Sequence, residues 1–313
     1  MADFPSHPDG LDPVWLGERL RQAGVIGEAE ITALSWEPIG TGQVGDSARI
    51  TLTYDRPDAG PATVAGKFPA ADETSRNTAA TLGLYAKEVG FYRDLRHHVD
   101  VRVPVPHVAE IAENGVDFLL IFEDLAPARG GNQLASCSAA DARAGMIQAA
   151  ALHAPSWDNQ AIIGQEWLTL PEAVVDHIRG LYGAAQQIFR ERYKDTLEPE
   201  FMQLCEDLND MRELWYGRDP GTKCLIHGDF RLDNMLFDIH GGAEDIAVLD
   251  WQTVGTGSGL MDVGYFLGTG IGDELRRAHE SELLDLYCAE MTCRGVPLTR
   301  EAIWDDYVIG ALH

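Results

Sequence analysis

Along the first part of the chain the apolar positions fall into short runs with a period of two. Ala48, Ile50, Leu52 and Tyr54 alternate with Arg49, Thr51 and Thr53, which predicts a strand buried on one face. Further strands are predicted over Ala62-Thr63-Val64-Ala65-Gly66-Lys67-Phe68-Pro69, from His107 to Ile111, and over Phe118-Leu119-Leu120-Ile121-Phe122, the last running into the acidic Glu123-Asp124. Between them the period changes, because Leu84, Glu88, Phe91 and Leu95 share a face only on a helix. Ala126 to Gln133, with Pro127, Gly130 and Gly131, reads as a boundary. From Ser138, a plausible N-cap, the pattern turns helical. Three short apolar strands interrupt it: Cys224-Leu225-Ile226, Met235-Leu236-Phe237 and Ile246-Ala247-Val248-Leu249, with Gly241-Gly242 as the turn before the last.

Composition narrows the classes. The chain has 313 residues, long enough for one two-lobed domain with sizeable cores or for two small domains. Its 50 acidic against 24 Lys and Arg residues give a formal charge of −26, which argues against nucleic acid or an anionic membrane as partner. No apolar run is long enough to span a bilayer, and the polar start MADFPSHPDG does not read as a signal peptide. The 5 cysteines form no CxxC pair and are odd in number, so a reduced, cytoplasmic setting is expected. At the far end Glu301 to His313 reads as an amphipathic helix without a C-cap, the expectation being either a fragment or an unusually short terminal helix.

The chemistry is concentrated in His227-Gly228-Asp229-Phe230-Arg231-Leu232-Asp233-Asn234, followed by Val248-Leu249-Asp250-Trp251. In kinase-type sites one Asp accepts the proton of the attacking hydroxyl, an Asn five residues later holds Mg²⁺, and a second Asp after a strand holds Mg²⁺ against the nucleotide phosphates. Asp229, Asn234 and Asp250 fit those places. An ordinary turn, with Asp229 and Asn234 bonding nearby amides, is the alternative for the loop alone.

Ile39-Gly40-Thr41-Gly42-Gln43-Val44-Gly45 matches G-x-G-x-x-G, with Gly40, Gly42 and Gly45 as the glycines. A dinucleotide-binding loop must open a helix, whereas here a strand pattern follows, the arrangement in which backbone amides approach nucleotide phosphates. A ligand-free hairpin turn stays open. Lys67, near the end of an apolar strand, is the candidate contact to the α- and β-phosphates, the alternative being a solvated edge lysine. Glu88 lies in an otherwise apolar helical stripe and needs a partner if buried, for which Lys67 is the best candidate.

HGDFRLDN with LDW, then Gly259-Leu260-Met261-Asp262-Val263-Gly264-Tyr265-Phe266-Leu267, resembles the aminoglycoside phosphotransferase and choline kinase superfamily, nearest its ecdysteroid-kinase-like and acyl-CoA-dehydrogenase-associated branches. The resemblance covers residues 36 to 267 and implies an α+β, two-lobed protein-kinase-like fold, with an antiparallel-sheet N-lobe over 1–124 and a mostly helical C-lobe over 125–313. It implies Asp229 as catalytic base, Asn234 and Asp250 as Mg²⁺ ligands, and a largely structural Asp262. The peptide groups of Glu123, Asp124 and Leu125 would meet adenine at the inter-lobe hinge. His153 and Trp157 fall on the first large-lobe helix, where a His on an apolar face is expected to be a packed core residue. Many aminoglycoside kinases have His or Ser at the position of Arg231 and Gly or Ser at that of Asp233, a departure that weakens any transfer of antibiotic specificity.

The expected function is therefore an ATP- and Mg²⁺-dependent phosphotransferase acting on a hydroxyl of a small molecule. A catalytically silent nucleotide-binding protein is the competing class, and a dinucleotide-dependent oxidoreductase, resting on the Gly-rich loop alone, is the third. The acidity fits a cationic acceptor or, more plainly, an acidic proteome.

Overall fold

The protein is described by a computed structural model covering residues 3–40, 44–169, 172–218 and 221–312. Five strands, β1 (Ile31–Ile39), β2 (Gly45–Tyr54), β3 (Thr63–Pro69), β4 (Pro106–Ile111) and β5 (Phe118–Glu123), form an antiparallel sheet in the order β1-β2-β3-β5-β4. The period-two pattern decides which side of each strand is dry. Ile50, Leu52, Val64, Phe68, Leu119 and Ile121 pack on one face against Leu16 and Leu20 of helix α1 (Pro13–Gln22). Each such fully buried side chain is worth roughly 1.5–3 kcal/mol. The α1 start is marked by Asp12, whose carboxylate accepts the Val14 and Trp15 amides, and by Pro13 in the first turn.

The other face of the sheet carries Phe118, Leu120 and Phe122, which pack with Tyr85, Val89 and Phe91. These belong to a helical segment that follows α2 (Glu73–Thr81): α3 (Leu84–Gly90) and a π-helical turn over Phe91–Leu95. The spacing of Leu84, Glu88, Phe91 and Leu95 predicts one continuous α-helix, and the structure differs there. The reason is tertiary, because the Phe91 ring stacks on Trp251 with centroids 3.7 Å apart and planes 4° from parallel.

After β5 the chain passes through β6 (Arg129–Gly130) into α4 (Ala139–Ser156), which opens with the expected cap: Ser138 and Asp141 form a reciprocal capping box. Strand β7 (Cys224–Ile226) delivers the HGDFRLDN loop, and β8 (Met235–Asp238) and β9 (Glu244–Val248) form the hairpin after it, in the sheet β6-β8-β9. A last strand, β10 (Gly255–Gly257), pairs with β7. Among the later helices, Gly259–Tyr265, Asp273–Cys293 and Arg300–Gly310 complete the lobe around a core that includes Leu225, Phe230, Trp251, Phe266, Tyr287 and Met291. The result is an α+β, two-lobed kinase-like fold.

Residues Thr169–Gly221 form a compact unit of their own. It consists of the helices Glu172–Tyr193 and Pro199–Tyr216, joined by an Arg190–Glu206 ion pair of 3.2 Å. Among the described residues no helix is long and apolar enough to cross a membrane.

Candidate active site

A cleft of about 1120 Å³ is lined by the strand residues Ser47, Arg49, Ala65 and Lys67, by Glu88, by Glu123 to Ala128, and by Asp229, Arg231, Asp233, Asn234 and Asp250. Period two explains the upper wall: positions 47, 49, 65 and 67 alternate with the buried residues 48, 50, 64 and 66, and the β2–β3 register sets Ser47 opposite Lys67.

Lys67 lies at the centre of one end. Its Nζ is 2.7 Å from Glu88 Oε1 and 3.1 Å from Asp250 Oδ1. Glu88 is 1% exposed, and its Oε2 has no hydrogen-bond partner among the described residues. Burial alone would lower the Lys67 pKa, but the two carboxylates outweigh it and hold the ammonium above its ordinary value. At Asp250 burial pushes upward, and the Lys67 charge and hydrogen bond, with His227 and the Gln252 amide, carry the carboxyl below its ordinary range. Glu88, fully enclosed, is held above its ordinary value by burial, against the pull of Lys67.

The HGDFRLDN loop is braced from beneath. Asp262 accepts the amides of His227 at 2.6 Å and Gly228 at 2.9 Å, and its Oδ2 lies 3.2 Å from His153 Nε2. His153 is fully buried, with Nδ1 3.0 Å from the Tyr287 hydroxyl, so it holds the loop from the core as expected of a packed histidine. His227 Nε2–H donates to Leu249 O at 2.8 Å, which leaves Nδ1 as the acceptor for the Asp229 amide at 3.3 Å. Thr253 ties the loop from the other side by donating to His227 O at 2.8 Å. Gly228 is required here: its φ is +79°, and a Cβ would sit 2.7 Å from Thr253 O.

On this frame Asn234 Nδ2 donates to both the carbonyl and Oδ2 of Asp229, each at 2.9 Å. That fixes one carboxylate oxygen of Asp229 and leaves the amide oxygen of Asn234 for another partner. Asp250 has φ +62°, a left-handed conformation rare outside glycine. Leu249 N donates to Asn234 O at 2.8 Å, so the two candidate metal ligands are coupled through the hairpin. One carboxylate and one amide oxygen suit Mg²⁺, which keeps waters and substrate phosphates in its remaining positions. No cluster of three His, Cys, Asp or Glu that could hold a metal ion occurs among the described residues.

At the opposite end, the carboxylates of Glu123 and Asp124 are engaged by the protein itself. Asp124 takes Arg49 Nε at 2.6 Å, Thr63 Oγ1 at 2.8 Å and the Ala126 amide at 3.1 Å. Glu123 takes Arg102 at 2.6 Å and the Val105 amide at 2.8 Å. What these residues offer the cleft is backbone. The Leu125 carbonyl accepts from His240 N at 3.0 Å, while its amide donates to no acceptor among the described residues.

In the Gly-rich segment, a Cβ on Gly45 would lie 3.2 Å from Phe68 O and 3.3 Å from Lys67 Cε, so a side chain there would crowd the strand against the lysine. Gly40 lines the cleft, and Gly42 lies outside the described residues. Sequence reasoning did not single out Arg49, Gln252 or Thr253, which also line the cleft. Arg49 was visible only as the polar partner in an alternating strand; Gln252 and Thr253 follow LDW without a pattern to mark them.

With this geometry in place, residues 44–294 match the ecdysteroid kinase-like family. The chain belongs to the ecdysteroid kinase-like family. It is also 35% identical over 97 residues to acyl-CoA dehydrogenase family member 11 of Gallus gallus, an alignment covering 26% of this chain and 12% of that protein. Among solved structures it is similar to the choline kinase of Cryptosporidium parvum Iowa II, at 10% identity and a TM-score of 0.52 over 96% of this chain and 85% of that one. A choline/ethanolamine kinase family protein from Mesorhizobium loti aligns at 16% identity and a TM-score of 0.48, over 90% and 76% of the two chains. The likeness to the choline kinase shows the fold of this family member, and the placement of side chains rests on the distances above.

Proposed function

We propose that this member of the ecdysteroid kinase-like family transfers the γ-phosphoryl group of Mg·ATP to a hydroxyl of a small molecule in the cytoplasm. The observation that carries the reading is the convergence, on one cleft, of Lys67 bridged to Glu88 and Asp250 with a loop that presents Asp229 and Asn234. Asp229 orients the acceptor hydroxyl and takes its proton at the carboxylate oxygen that Asn234 leaves unheld. Lys67, fixed by Glu88, positions the phosphates, and the Leu125 amide supplies the donor for the base. Asn234 and Asp250 hold Mg²⁺, which when bound neutralises phosphate charge. Positioning and charge neutralisation account for most of the rate in such transfers.

The test is ADP release by the purified protein with Mg·ATP across amino sugars, amino alcohols, sterols and hydroxyacyl thioesters, with Asp229→Asn as control. Acceptor-dependent ADP release well above the control supports the reading. Mg·ATP binding without release above control for any acceptor would favour the silent nucleotide-binding protein instead.

A further inference from the structure

Three cations line the cleft: Arg49, Lys67 and Arg231. Arg49 is held at the hinge by Asp124 at 2.6 Å, and Lys67 is shared between Glu88 and Asp250. Arg231 is the cation at the Asp229 end. Its Nε lies 3.1 Å from Asp229 Oδ1, yet that Nε is buried and makes no hydrogen bond of proper geometry. The side chain is nevertheless 32% exposed. Its Nε thus meets Asp229 as an ion pair and not as a hydrogen bond, with Tyr265 the polar neighbour of both. The other oxygen, Oδ2, is already held by Asn234, so Oδ1, the one that Arg231 covers, is the oxygen an acceptor hydroxyl must reach.

We infer that Arg231 is a second catalytic residue, whose guanidinium moves from Asp229 Oδ1 onto the equatorial oxygens of the phosphoryl group in flight and thereby uncovers Oδ1 for the acceptor. The inference rests on the phosphotransferase reading. In the step itself the bond from γ-phosphorus to the β,γ-bridging oxygen breaks and that oxygen leaves with ADP. A new bond forms from phosphorus to the acceptor oxygen, and the hydroxyl proton passes to Asp229. Arg231 transfers no proton; its planar fork donates hydrogen bonds to oxygens whose charge is largest in mid-transfer. A residue that meets the phosphoryl only then lowers the barrier, whereas one that binds ADP equally well does not. Tyr265 borders the same pair, its phenol raised first by burial and then by the Asp229 charge, so Asp229 keeps a hydroxyl neighbour when the arginine leaves.

The competing role is a strut, in which Arg231 only steadies Asp229. Calorimetric titration with Mg·ADP, and with Mg·ADP plus aluminium fluoride as the planar phosphoryl mimic, separates the two in Arg231→Gln, Asp229→Asn and the double variant. For Arg231→Gln, Mg·ADP affinity stays within about threefold while the aluminium fluoride complex weakens about 100-fold, the scale of losing one oxyanion donor. The same loss persists in the Asp229→Asn background, and Arg231→Lys, which keeps the charge without the fork, recovers part of it. Equal weakening of both complexes, no weakening of either, or a loss that vanishes in the Asp229→Asn background would overturn the inference. Failure of the unmodified protein to bind Mg·ADP at all would instead overturn the phosphotransferase reading on which it rests.

Discussion

The two ends of the cleft both carry cations beside carboxylates and treat them in opposite ways. At the hinge, Arg102 donates to Glu123 at 2.6 Å and to both oxygens of Glu244 at 2.6 and 2.9 Å, and Arg49 and Thr63 close on Asp124. Every carboxylate there is matched by groups of the protein. At the Lys67 end one lysine serves two carboxylates, a buried Glu88 oxygen makes no hydrogen bond of proper geometry among the described residues, and Asp250 sits 42% exposed in a left-handed conformation. Leaving a buried polar atom unmatched costs about 1–3 kcal/mol, more for a charge, so folding alone gives no reason to keep it. A matched network fixes shape, whereas an under-matched one holds interactions in reserve for a ligand.

The comparison breaks most readily at Asp229. Asp229→Asn should fold and bind Mg·ATP but lose about two to four orders of magnitude in turnover, the usual worth of a positioned general base. Near-normal ADP release from that variant would take Asp229 out of the mechanism.

Next in size is the Lys67–Glu88 pair. Lys67→Met leaves the buried Glu88 carboxylate without its cation, and Glu88→Gln leaves Lys67 held by Asp250 alone, so each should weaken kcat/KM for ATP strongly, and the double variant little more than either. Lys67→Met should be the larger single loss, because Glu88 acts only through it. Strict additivity in the double-mutant cycle would show that the two groups act independently of each other. A smaller contrast follows at the metal ligands: Asp250→Ala should abolish the Mg²⁺-dependent tightening of ATP binding more completely than Asn234→Ala, since it removes the charged ligand. Calorimetry with and without Mg²⁺ ranks them, and equal effects would contradict the ranking.

How much of this was legible depends on the distance over which each signal acts. Strands β2 to β5 of the upper sheet, the Ser138 cap and the HGDFRLDN hairpin are written in neighbouring residues, and the sequence pattern places them correctly, whereas β1 shows no alternation that marks it. Lys67 and Glu88, 21 positions apart, were paired by reasoning that a carboxylate in an apolar stripe needs a cation. Features set by distant partners were not readable. The helix through Phe91 breaks from α into π because Trp251, far along the chain, stacks on it. Arg102 lies in no motif, and its role appears only when Glu123 and Glu244 arrive from two other elements. The sequence pattern alone does not set the helical pair within Thr169–Gly221 apart as a unit, although Pro171 and Asp219-Pro220-Gly221 punctuate its two ends. Arg231 stood out only as a departure from many aminoglycoside kinases, and its meaning came from finding it against Asp229 Oδ1.

The smallest expected effect lies at the matched end, and its smallness is what the comparison requires. Arg102→Ala removes a side chain that is 22% exposed and bonded to two carboxylates, one of them 43% exposed. Solvent screening discounts the outer pair, leaving a loss of about 1–2 kcal/mol in stability. The loss should depend on pH with a definite sign. At Glu244 the Arg102 hydrogen bond holds the carboxyl below its ordinary 4.5, and at Glu123 burial pushes upward but Arg102 and the Val105 amide overcome it. Carboxylates with depressed folded pKa values stabilise fully above their ordinary range, and that contribution fades as pH falls through the lower folded values. His240 Nε2, 3.5 Å from Glu123 and 3.8 Å from Glu244, sits on the same cluster and stays in place in the variant. Urea denaturation of the unmodified protein and Arg102→Ala should therefore give a difference that is constant near neutrality and shrinks below about pH 4.5. ADP release should change far less than in Lys67→Met. A turnover loss as large as that of Lys67→Met would mean that the hinge network also holds something in reserve, and the distinction between the two ends would fall.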